Sequence, residues 1–179
     1  MANVPIQAGH ARDYTPVLDA LKGPPFPPTG ALMQAVVDAL WGAFSTERGG
    51  VPPVSWIGFY TWSKGAPEEL VLGARRDKPA CSPIGLHGVC GRGFLEKRPI
   101  VVRDVAVLGA NYVACDPRDR SEVVVPLLNP DGSCWGVLDG DSHFAGAFDT
   151  FDALSLARLL RHVGLSAHGF EAPSAVLVV

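Results

Sequence analysis

Apolar residues recur at Met33, Val36, Val37, Leu40 and Phe44. This spacing of three and four predicts a helix with one face on a core. Thr29 stands ahead of it as an N-cap, and Arg48-Gly49-Gly50 marks its end. A second helical period, Leu154, Ala157 and Leu160, predicts a helix over 150–163 with Asp149 or Thr150 as cap. Between the two the period falls to two. Residues 54–62 (VSWIGFYTW), 69–73 (ELVLG), 100–105, 121–128 and 133–139 read as strands. Ser63 to Pro67 and Asn129-Pro130-Asp131-Gly132 are turns between neighbouring strands. Residues 75–91 show no clean period and read as a loop; 91–97 reads as a short helix closed by Pro99.

Hairpin-linked strands lack the long crossovers that a parallel sheet needs. The pattern predicts an α+β fold, a central mostly antiparallel β-sheet with flanking helices on one face. Residues 1–28 end in a Gly-Pro-rich run, a composition that argues against a helix and for an arm on the surface or on a partner. Residues 29–170 are then the domain proper. Residues 171–179 are an apolar tail, read as a strand or a docked segment.

Composition narrows the class. The 179 residues are 47% hydrophobic and 18% charged, which suits one globular domain rather than a disordered chain. A net charge of -3 without a basic run supplies no electrostatic footprint for nucleic acid. No apolar run approaches the ~18 residues of a membrane span. The N-terminus lacks the basic and apolar regions of a signal peptide, so a cytoplasmic location is expected. Thiols stay reduced there, so Cys81, Cys90, Cys115 and Cys134 are expected to be free, catalytic or metal-bound rather than structural disulfides.

Two clusters carry candidate chemistry. Asp139 and Asp141 lie two apart at a strand end and share a face. Glu122 opens the hairpin partner, so the three carboxyls converge, and at least one must hold a proton. Such a group serves as a general acid, or binds a cation once ionised. Trp56, Tyr60 and Trp62 alternate with core-facing Ile57 and Phe59, and form a candidate pocket wall. Metal is not expected. Cys81 and Cys90 are nine residues apart, and His10, His87, His143, His162 and His168 are scattered, leaving His87 with Cys90 as one weak pair. A structural zinc site needs two close pairs.

Several segments in order, WIGFY, LVLG, PACSPI, GVCG, VACD, SEVVVPL and GVLDGDS, resemble the free methionine-(R)-sulfoxide reductases of the GAF domain superfamily. The likeness covers roughly residues 30 to 165. It implies that Cys115 attacks the sulfoxide, that Cys81 is the resolving thiol, and that Cys90 is redox-active with a role that varies among members. It implies that Glu122, Asp139 and Asp141 hold the substrate's amino group and assist protonation, with Trp56 and Tyr60 against the substrate. It also implies free methionine sulfoxide as substrate, thioredoxin or a similar dithiol as reductant, and no metal or organic cofactor. GAF domains often pair through their terminal helices, so a homodimer is the assembly to expect. Cys134 has no family counterpart and reads as a small buried hydrophobe. Three features depart from the family: a Cys81–Cys90 loop one residue shorter, Gly140 between the two aspartates, and Gly109 to Val113 before Cys115. A second reading is a non-catalytic GAF module that binds a small ligand or senses oxidants.

Overall fold

A computed structural model of the chain describes residues 12–21, 29–112 and 115–179. The rest of segment 1–28, His10 included, and Val113-Ala114 lie outside the described residues. The described elements are α1 (Thr15–Ala20), α2 (Thr29–Phe44), β1 (Trp56–Ser63), β2 (Ala66–Arg76), β3 (Ile84–Gly85), α3 (Val89–Glu96), β4 (Ile100–Val102), β5 (Ser121–Leu128), β6 (Cys134–Ser142), α4 (Thr150–His162) and β7 (Leu177–Val178). No helix among the described residues is long and apolar enough to cross a membrane.

The strands form one sheet in the order β3-β2-β1-β6-β5-β4-β7. Every pairing is antiparallel except β4 with β7. The α+β expectation therefore holds. Ile57, Phe59, Val123, Val125 and Leu138 face α2 and α4 in the larger core, where Val36, Val37 and Leu40 of α2 are buried. The other face carries Trp56, Tyr60, Val124 and Val137 against Cys90 and Phe94 of α3. The expectation of helices on one face is thus corrected: α3 lies on the opposite side from α2 and α4. Its core residues are short and interrupted by Gly91 and Gly93, so no sustained period announced which face it would cover.

Segment boundaries change too: the strand expected over 69–73 runs over Ala66–Arg76, and the loop expected over 75–91 holds β3 and the start of α3. The expected strand over 100–105 stops at Val102, because the Asp104 side chain accepts from Ala106 N and caps a 3-10 turn over Val105–Asn111. The terminal tail is the sheet's edge strand: Leu177 N donates to Pro99 O and Val179 N to Val101 O, each at 2.9 Å.

The N-terminal segment is no surface arm where it is described. α1 forms because Pro16 sits in its first turn, where a missing N–H costs nothing. Arg12 is buried and donates to Asp152 Oδ2 at 2.9 Å, Ala147 O at 2.7 Å and Pro52 O at 2.7 Å, while Tyr14 donates to Asp152 Oδ1 at 2.9 Å. Asp152 also closes the capping box of α4 with Asp149. Burial pushes the Asp152 carboxyl upward, and Arg12 opposes this only in part. The pair is therefore a positional device more than a net source of stability. Removing one partner strands the other, so Arg12→Ala should destabilise the fold by about 3–5 kcal/mol in urea unfolding, because an uncompensated buried charge remains.

Candidate active site

The sheet register brings the acids together. Asp141 pairs with Trp56 on β1 and with Glu122 on β5. Asp139 pairs with Gly58 and with Val124 in the same rows. Paired residues in an antiparallel sheet share a face, so Trp56, Glu122, Asp139 and Asp141 all point to the α3 side. Gly58 is required there. A Cβ at this position would lie 2.5 Å from the Trp56 ring and 2.9 Å from Arg75 Cβ, so the bare backbone leaves the indole room to lie across the strand. Gly140 points to the other face, toward Val123, Ile57 and Phe148, and takes no part in the site.

A cavity of ≈ 260 Å³ opens above these rows. It is lined by Tyr60, Glu122, Asp139 and Asp141 from the sheet, Cys90 from the start of α3, and Cys81 and Cys115 from loops. Trp56 lines a narrower extension of ≈ 30 Å³ that shares Cys115, Asp139 and Asp141 with it. The expected site residues are thus gathered in one place. Trp62 is the exception in the aromatic row: it stacks on Phe94 at 6.3 Å and donates to Pro67 O, away from the cavity. Cys134 is buried elsewhere, with its thiol donating to Gly136 O at 3.1 Å. A wider hollow of ≈ 480 Å³ between residues 12–16 and 43–52 contains no thiol and no acid cluster.

Among the described residues, the one cation acting on the acid group is Lys78 in the extension, and it offsets the rise at Asp141 only in part. Burial, then the charge of Asp139, push Glu122 well above the ordinary glutamate range. Burial pushes Asp139 up to about 7, against a hydrogen bond from Cys90 that favours its ionised form. Asp141 keeps some solvent contact but is also driven upward, by burial first and by Asp139 and Glu122 next. Asp139 Oδ1 is buried without a hydrogen-bond partner. Carboxyls held this way resist ionisation, and a cation placed beside them lowers that cost.

The thiols differ. Cys90 lies at the start of α3, where the helix dipole favours a thiolate. Burial and the charges of Asp139 and Glu122 outweigh that dipole and raise its pKa well above the usual thiol range. Solvent reaches Cys115, yet partial burial and a hydrogen bond to the Cys81 side chain push its thiol up to about 12. The charges of Cys81 and Asp139 add to the rise, and a hydrogen bond from the Cys81 backbone opposes it. Cys81 and Cys115 are therefore in contact as a reduced pair.

Side-chain atoms of Cys90, Glu122 and Asp139 lie within 4.8 Å of one another, as do those of Asp116, Asp119 and His143. Asp116 in the second group is already engaged by Lys78 and Arg118.

The cavity also includes His87, Tyr112 and Asp119, which are not among the expected site residues. Tyr112 and Asp119 flank Cys115 within four residues, and that proximity was the available signal. His87 was read only as a weak metal partner of Cys90.

Comparison with known proteins gives the family. The GAF domain model matches residues 29–166, so the chain belongs to the GAF domain family. Among curated proteins it is similar to the free methionine-R-sulfoxide reductase of Saccharomyces cerevisiae, 34% identical over 114 residues, 63% of each chain. The Escherichia coli protein of that name is 36% identical over 109 residues, covering 60% of this chain and 62% of that one. The match thus spans just under two thirds of these relatives' length. Among solved structures, the free methionine-R-sulfoxide reductase of Neisseria meningitidis in complex with its substrate has a TM-score of 0.66 at 36% identity, covering 74% of both chains.

Proposed function

We propose that the protein reduces free L-methionine-(R)-sulfoxide to L-methionine. The observation that carries this reading is the convergence of Cys115, its contact Cys81 and the carboxyls of Glu122, Asp139 and Asp141 on one small cavity. The relatives' names, and the substrate complex of the meningococcal structure, support the substrate class.

In this reading Glu122, Asp139 and Asp141 surround the substrate's α-ammonium, a cation that a methionine within a chain lacks, and part of the cluster ionises while at least one member keeps its proton. Trp56 and Tyr60 cover its apolar side. A sulfoxide sulfur becomes electrophilic once its oxygen takes a proton, and a neutral carboxyl of the cluster supplies it. Cys115 attacks the sulfur, its thiol proton returns to the acid, and the oxygen passes to Cys115. The products are methionine and a Cys115 sulfenic acid. The Cys81 thiol condenses with the sulfenic acid, forming a disulfide and releasing water, which prevents over-oxidation. An external dithiol protein such as thioredoxin restores both thiols by exchange. The chemistry uses no metal and no organic cofactor. Cys90, buried and hydrogen-bonded to Asp139, tunes that acid in this reading.

Turnover with thioredoxin, thioredoxin reductase and NADPH tests the proposal. NADPH is expected to be consumed with the R epimer and not with the S epimer. Folded, fully reduced protein that consumes NADPH with neither would overturn it. That outcome would favour a ligand-binding or oxidant-sensing module, a reading to which a solved putative GAF sensor protein from Burkholderia vietnamiensis, 34% identical with a TM-score of 0.67, lends support.

A further inference from the structure

The two loops that bring Cys81 and Cys115 together are joined by charges next to each cysteine. Lys78 lies three residues before Cys81, and Asp116 directly follows Cys115. The Lys78 ammonium is hydrogen-bonded to Asp116 Oδ2. Both ends of Lys78 are held, since its carbonyl accepts from Trp56 Nε1 at 3.0 Å. The Cys81 carbonyl accepts from the Tyr60 hydroxyl at 2.9 Å, which ties the same loop to β1. On the other side, Arg118 folds back on Asp116 with Nε to Oδ1 at 3.0 Å and Nη2 to Oδ2 at 2.8 Å. Asp116 also accepts from Arg118 N at 3.0 Å, and its own carbonyl accepts from Asp119 N at 3.1 Å. His143 Nε2 stands 3.5 Å from Asp116 and 3.6 Å from Asp119, and Ser55 donates to Asp119 at 3.1 Å. Asp116 is the hub of this network: its side chain is 10% exposed, and that of Lys78 is 35% exposed.

We propose that the Lys78–Asp116 pair is a latch that positions Cys81 against Cys115 and so sets how readily their disulfide closes. Lys78 and Asp116 are positioning residues, since neither carries a reacting atom. Two loops that must each be ordered before their sulfurs meet lose conformational entropy on closing the bond. A latch formed in the reduced protein has already ordered them, which raises the effective concentration of one thiol at the other. A charge-assisted hydrogen bond with a mostly buried carboxylate is strong enough to matter here, unlike an exposed surface pair. Arg118 alone cannot replace the latch, because it belongs to the same loop as Asp116.

The proposal rests on the reading that Cys81 resolves Cys115, but its test needs no sulfoxide turnover. Reduced protein is equilibrated with glutathione and glutathione disulfide. One glutathione disulfide takes two electrons from the two thiols, leaving a Cys81–Cys115 disulfide and two glutathione molecules. The mixture is quenched, alkylated and read as the linked and unlinked cysteine peptides by mass spectrometry. Lys78→Met is expected to lower the equilibrium constant for disulfide closure by about tenfold, the scale of a charge-assisted contact. Asp116→Asn should act in the same direction, and Lys78→Arg should restore most of the wild-type value. Arg98→Met removes a surface pair with Glu96 outside the network and should change nothing. A wild-type constant in Lys78→Met overturns the latch, as does an equal loss in Lys78→Arg and Lys78→Met. Failure of methionine release with an intact latch effect would fall on the proposed reaction instead.

Discussion

Replacement of Cys115 by serine is expected to lower turnover of free methionine-(R)-sulfoxide by at least about a thousandfold, the scale on which removal of a covalent nucleophile is felt. The cavity offers no equivalent substitute. Cys90 is buried and donates to Asp139, and its thiol is held further from ionisation than an ordinary one. Cys134 lies outside the cavity, with its thiol bonded to Gly136 O. Cys81 is in contact with Cys115, but in the proposed reaction it acts only after the oxygen has been transferred. A single-turnover assay without added reductant separates the roles. Wild-type protein should release methionine and form the disulfide. Cys81→Ser should release methionine and leave a trappable sulfenic acid on Cys115. Cys115→Ser should release none. Methionine release that survives in Cys115→Ser would remove this residue from its role.

Neutralising the acid cluster should separate function from stability. With Asp141→Asn, a half-buried charge that would meet the ammonium is lost, and kcat/KM should fall by about 30-fold, corresponding to the ~2 kcal/mol that follows removal of one member of a hydrogen-bonded charge pair. The same kind of change should stabilise the ligand-free protein. Asp139 has a folded pKa of about 7 against an ordinary value of 3.8. A carboxyl raised in this way contributes its full stability below about pH 4, and loses it as the pH rises through about 7. The wild-type Tm should therefore drop between pH 6 and pH 8. Asp139→Asn should flatten that drop and raise Tm at pH 8 by several degrees, at about 2–4 °C per kcal/mol for a chain of this size. Scanning calorimetry at the two pH values is the measurement. Parallel curves for wild type and Asp139→Asn would mean that ionisation of Asp139 does not cause the drop. Function and stability pull in opposite directions here because the site holds Glu122 and Asp139 away from water beside a third carboxyl, an arrangement that suits a bound cation and costs the ligand-free protein.

Much of the fold was legible in local pattern. The spacing of Val36, Val37 and Leu40, and of Leu154, Ala157 and Leu160, marked α2 and α4, and both sets are buried in the structure. Alternation in VSWIGFYTW separated Trp56 and Tyr60 from Ile57 and Phe59, and the two cores divide them the same way. The i, i+2 spacing of Asp139 and Asp141 put them on one face, and the Asn129 to Gly132 turn brought Glu122 beside them. These readings succeeded because side-chain direction in a strand or helix depends on a few neighbouring residues. Composition misled at residues 12–21, where Arg12 finds Asp152 across 140 positions and Tyr14, Val17 and Leu21 join the core.

What the sequence determined by itself is the set of elements, the faces they present and the chemical groups on those faces. Tertiary structure decided which groups meet. It put α3 opposite α2 and α4, placed Cys81 against Cys115, and joined their loops through Lys78 and Asp116. It also removed water from Glu122 and Asp139, which turned ordinary surface acids into proton-holding groups. Such outcomes depend on loop closure, close packing and desolvation, which are properties of the whole assembled chain and have no local period to read.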